Sequence, residues 1–94
     1  MISLHEVVWF SGMEPHHLKF CNCNFAEFET YCDRKGLSLK PHDRVETSRY
    51  ICWDLSGRDS DLGIPYGVSA RMSTFIEREF RNFSYCDDCE KGPG

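Results

Sequence analysis

From Ile2 to Phe10 the chain reads as a strand. Ile2, Leu4, Val8 and Phe10 share one parity, and the run Val7-Val8-Trp9-Phe10 is apolar at both parities. Alternation marks a strand with one covered face, and an apolar run at both parities marks one with neighbours on each side. The pattern predicts a central strand over 2–10. Ser11-Gly12 ends it, and Glu14-Pro15-His16-His17 reads on as loop.

The period changes at Asn24. Phe25, Phe28, Tyr31 and Cys32 recur on one helical face, while Glu27, Thr30, Asp33 and Arg34 fall on the other. Asn24 can cap the first turn, with Glu27 placed to reach back as in a capping box. Gly36 followed by Leu37 is the stop signal, Gly taking the left-handed position and the apolar residue folding back. A helix over about 25–35 follows. Pro41 keeps the next stretch out of a helix, and short extra strands are expected at Leu37–Leu39 or Tyr66–Val68.

Val45 to Leu55 alternates again. Val45, Thr47, Ile51, Trp53 and Leu55 share one face, and Glu46, Ser48, Tyr50, Cys52 and Asp54 the other. The segment 56–67, with three Gly and one Pro, reads as a loop. Ser69 then caps a second helix over 69–83, whose expected buried stripe is Met72, Phe75, Ile76, Phe80 and Phe83. Residues 90–94 read as a disordered tail. The expected fold is α+β: one domain, 1–94, with a small antiparallel sheet and two helices packed on one of its faces.

Composition narrows the function classes. The chain has 94 residues, too few for two cores, yet its seven Phe, four Tyr and two Trp can fill one. A formal net charge of −4 opposes general binding to nucleic acid or anionic lipid. The N-terminus lacks a basic stretch followed by an apolar one, so no signal peptide is read. No run reaches the roughly 18 apolar residues of a membrane span, so no membrane association is expected. A cytoplasmic chain is the expectation, and in a reducing compartment six cysteines mean thiols or metal ligands rather than disulfides.

The cysteines carry the strongest chemical signal. Cys21 and Cys23 form C-x-C, and Cys86 and Cys89 form C-x-x-C near the other end. Zinc takes four soft or borderline ligands in a tetrahedron, and a tight turn places both sulfurs of such a pair on one side. Together the four predict a structural Zn2+ site that staples the tail to the start of the first helix. His16 or His17 in place of one cysteine is the alternative ligand set, and iron the alternative metal at four thiolates. Cys86-Asp87-Asp88-Cys89-Glu90-Lys91-Gly92 resembles the knuckle half of a zinc ribbon, with its Gly three residues after the second Cys and no Pro between the cysteines. Cys32 and Cys52 read as core thiols.

No nucleophile elbow, phosphate loop or zinc-protease helix is present. Asp54, Asp59 and Asp61 do not have EF-hand spacing. The leading expectation is therefore a small zinc-binding interaction module that binds a protein partner as regulator, inhibitor or adaptor. The expected contacts are Arg58, Asp59, Asp61 and Tyr66 in the loop, with Arg71 and Arg78 on the second helix. A zinc-ribbon-like nucleic-acid binder using Arg71, Arg78 and Arg81 is the alternative, and a small metal- or thiol-dependent enzyme the second.

Overall fold

The computed structural model describes residues 4–42, 49–57 and 67–81. The elements run β1 (Leu4–Ser11), β2 (Glu14–Cys21), α1 (Asn22–Lys35), β3 (Ser38–Pro41), β4 (Tyr50–Ser56) and α2 (Ala70–Phe80). The four strands form one sheet in the order β2-β1-β4-β3. β1 is central, as its two-sided apolar run requires.

The architecture is α+β, and the sheet is mixed rather than antiparallel. β1 pairs antiparallel with β2, β4 pairs antiparallel with β3, and β1 and β4 run parallel in the middle, with His5 opposite Ile51 and Val7 opposite Trp53. The physical reason is connectivity. A tight hairpin forces β2 antiparallel to β1, whereas β4 is separated from β1 by β2, α1 and β3 and can lie beside it in the same direction.

The stretch read as loop at 14–17 is the start of β2. Ser11 and Glu14 are the last pair of the hairpin, leaving Gly12 and Met13 as a two-residue turn. Gly12 has φ 64, the left-handed backbone that such turns need. Pro15 is tolerated because β2 is an edge strand. His16, Leu18 and Phe20 then share one face, opposite Trp9, Val7 and His5.

That face carries the core. Val7, Trp9, Leu18, Phe20 and Leu55 from the sheet meet Phe25, Phe28 and Cys32 from α1 and Ile76 and Phe80 from α2. Phe20 binds the layers together: its ring stacks on Phe28 at 4.7 Å and meets the edge of Phe80 at 6.1 Å. Phe28 and Phe80 meet edge-on at 5.0 Å, so the helices also pack on each other. Such aromatic pairs add about 0.5–1.5 kcal/mol each beyond their buried area.

α1 begins earlier than the capping pattern predicts. Cys21, not Asn24, is the cap, its Sγ accepting the Asn24 N–H at 3.5 Å. The stop is as expected: Gly36 has φ 72, its N–H reaches Asp33 O and the Leu37 N–H reaches Cys32 O at 2.8 Å. In α2, Ser69 Oγ accepts the Met72 N–H at 3.2 Å. Ser73, Ile76 and Phe80 are buried there, whereas Phe75, assigned to the buried stripe, is 41% exposed. Phe83, Val45 and Thr47 lie outside the described residues. Among the described residues, no helix is long and apolar enough to cross a membrane.

Candidate functional site

Helix α2 has the most polarised surface. At ~100° per residue, Ser73, Ile76 and Phe80 centre one pole of the helix and Arg78 the opposite one, with Arg71, Thr74, Phe75 and Arg81 around it. All five are exposed. Arg71, Arg78 and Arg81 make no ion pair among the described residues, where every pair within 4.0 Å is between a histidine and a carboxylate. Glu77 lies to one side of the row and is engaged by His16 Nδ1 at 3.1 Å. The ring of Phe75 stacks on Tyr31 of α1 at 5.9 Å, and Lys35 Nζ stands 5.9 Å from the centre of the Tyr31 ring. The outer surface of the helix layer is thus an aromatic pair with Lys35 and the arginine row on its borders and Glu79 close to Tyr31.

The cysteines at the β2–α1 junction occupy the start of a helix. Cys21 is buried and Cys23 exposed. The Asn24 N–H on the Cys21 Sγ places a backbone donor on that sulfur at the helix start. Cys86 and Cys89 lie outside the described residues, as do Arg58, Asp59, Asp61 and Tyr66. Among the described residues no group of three or more His, Cys, Asp or Glu is arranged to hold a metal. His17 stands four residues up β2 from Cys21, about 13 Å at ~3.3 Å per residue. It pairs instead with Glu6 at 3.3 Å, while His16 stacks on Trp9 at 5.4 Å. Neither histidine is brought to the cysteine pair, and both lie on β2 rather than in a loop, His16 half-buried and His17 exposed.

The helix-free face of the sheet carries a second set of polar groups. Glu6, at the middle of β1, accepts a short hydrogen bond from the Tyr50 hydroxyl of β4 and lies beside His17 of β2. Burial, with that bond as the next cause, pushes the Tyr50 hydroxyl pKa up. Cys52 is buried between Tyr50 and Asp54 in sequence, and its thiol is also pushed up, first by burial and then by Glu6. Cys32 is pushed up to about 12 by burial, with Glu29 adding to it. Thiols held protonated in this way are poor nucleophiles, consistent with the core roles expected of both. His42 binds both carboxylate oxygens of Asp54, at 2.9 and 3.1 Å.

His5 is the residue whose environment is least visible in the sequence. Its ring lies flat on Phe25 at 4.1 Å, its Nδ1 accepts the Trp53 indole N–H at 3.1 Å, and its Nε2 is 2.7 Å from Asn22 Oδ1. An indole N–H only donates, so Nδ1 is bare and Nε2 carries the proton given to Asn22. His5 therefore works as a strut between β1, β4 and the first residue of α1.

Compared with known proteins, the chain matches no family model, no characterised protein sequence and no solved structure.

Proposed function

We propose that the protein is a small zinc-binding interaction module that acts by binding an acidic protein partner, as a regulator, inhibitor or adaptor does. The observation that carries the reading is the row of Arg71, Arg78 and Arg81, exposed on α2 and without a carboxylate partner among the described residues. In a chain of net charge −4, guanidiniums that form no ion pair among the described residues can recognise carboxylates of a partner. Phe75 beside them supplies an apolar centre of the kind that protein interfaces favour. Contacts from Arg58, Asp59, Asp61 and Tyr66 belong to the same proposal.

The metal role in this reading is structural. Cys21 and Cys23, with Cys86 and Cys89, would hold Zn2+, closing most of the chain into one loop. Structural zinc in small peptide systems contributes of order 10 kcal/mol, ample for a domain of this size. Four thiolates leave no open coordination position, so the ion would order the fold and leave the chemistry to the surface.

The test is fluorescence anisotropy with two probes of similar charge, a glutamate-rich peptide containing one leucine and a single-stranded oligonucleotide. The reading expects saturable peptide binding that falls at least tenfold in the Arg71→Glu/Arg78→Glu double variant. Tighter oligonucleotide binding with a steep salt dependence would favour the nucleic-acid alternative. Equal peptide binding by wild type and double variant would remove the arginine row from the account.

A further inference from the structure

On the helix-free face, at the end of the parallel strand pair, a cavity of about 300 Å³ opens between β1, β4 and β3. Its origin is a local splitting of the sheet. β1 and β4 remain paired up to Val8 and Asp54, and beyond that the chain at Gly67-Val68 inserts between them. Val68 N–H donates to Phe10 O and Gly57 N–H to Gly67 O, each at 2.8 Å. The strand ends are held apart by these bonds, and the space between them is floored by backbone. Gly67 is the only residue type that fits the wedge: its φ is 109, and a Cβ there would stand 2.8 Å from Phe10 O. The carboxyl ends of adjacent parallel strands whose chains depart differently are where open sheets hold ligands. Here β1 turns into the β2 hairpin, while β4 leads on to α2.

The walls divide by chemistry. Val8 and Phe10 line one part, and Phe10, 55% exposed, forms an apolar rim that the core does not explain. Lys40 and Asp54 line the other. These two are directly opposite across β3 and β4, yet they form no ion pair among the described residues. Asp54 is instead steadied by His42 at 2.9 Å, and Lys40 pairs with no carboxylate among the described residues. An ammonium and a carboxylate are therefore presented side by side at the mouth of an apolar slot.

We propose that this cavity is a binding site for a free apolar α-amino acid, with the ligand carboxylate on Lys40, its ammonium on Asp54 and its side chain against Val8 and Phe10. A zwitterion satisfies both charges at once, whereas an ion of either sign leaves one of them opposed or unmatched. The volume lies at the lower end of the range for small-molecule sites, which suits a ligand of about a dozen heavy atoms. The site is independent of the arginine row, which lies on the far side of the helix layer.

The experiment is a heteronuclear NMR titration of the full-length protein with L-phenylalanine, phenethylamine and 3-phenylpropionate. The expected result is saturable shifts of the Val8, Leu55 and Gly67 amides with phenylalanine, and at least tenfold weaker binding of the two singly charged analogues. Lys40→Gln and Asp54→Asn should each weaken phenylalanine binding at least tenfold. Lys40 is exposed, so the first variant keeps the fold. Absence of saturable shifts up to about 20 mM, weaker than the millimolar range of the faintest specific ligands, would overturn the proposal. Equal binding of the singly charged analogues, or no effect of Lys40→Gln, would overturn it equally.

Discussion

The indole N–H of Trp9, at the centre of the sheet, donates to Ser73 Oγ of α2 at 2.9 Å, joining positions 64 residues apart inside the core. Ser73 is the buried polar residue among the described ones, and no buried side-chain N or O there lacks a partner. The bond lies on the same inward face of α2 as Ile76 and Phe80, opposite Arg71 and Arg78.

Replacing Ser73 with Ala should leave the indole N–H buried without an acceptor. The expected cost is about 1–3 kcal/mol in a urea or guanidinium unfolding curve, more than a surface Ser→Ala would give. An unchanged midpoint would mean that the indole finds another acceptor and that α2 is placed by packing alone.

Gly67→Ala should cost at least about 2 kcal/mol, because the left-handed backbone and the approach to Phe10 O act together. Gly12→Ala is the comparison. Its φ of 64 is also left-handed, but a Cβ there meets nothing within 4 Å, so about 1 kcal/mol is expected. Thermal unfolding of the pair separates the two causes.

Much of this was legible in the residue pattern, for identifiable reasons. Gly36-Leu37 marked the end of α1, Ser69 the start of α2, and the parity of Ile51, Trp53 and Leu55 the inner face of β4. β2 was missed because Glu14-Pro15-His16-His17 hides its alternation behind polar groups, although His16, Leu18 and Phe20 share a parity. The apolar character of Phe75 points inward, yet it stands about 100° from Ile76 and about 140° from Phe80 around the helix, off the buried face. The small hydroxyl of Ser73 holds the inward place because the Trp9 indole needs an acceptor there. Strand direction leaves no mark on parity, so the parallel pairing of β1 and β4 was not readable. The same holds for Glu6 with Tyr50, which are 44 residues apart and meet only through that pairing. The arginine row was readable, because helical spacing alone puts Arg71, Arg78 and Arg81 together.

Cys32 should make stability fall in alkali. Its thiol ionises near 9.0 in its ordinary state and near 12 in the fold, so between these values the unfolded chain has released the proton that the native one keeps. The folded state is then the more protonated one, and its stability is intact below pH 9 and declines toward pH 12 at about 1.4 kcal/mol per pH unit for this group. Cys32→Val removes the titrating group and keeps an apolar side chain of similar size. Denaturant unfolding at pH 8 and pH 10 should show a smaller loss for the variant, and equal losses would assign the alkaline slope elsewhere.

The proposed function has the fold fastened by a structural zinc, and Cys23 tests that proposal most directly. It is exposed at the start of α1, so without a metal it would meet a thiol reagent at once. The measurement is native mass spectrometry of the protein in reducing buffer, paired with the reactivity of Cys23 before and after chelation. The account predicts one zinc per chain and a Cys23 that is protected until the chelator removes the ion. A metal-free native mass with immediate modification of Cys23 would contradict it.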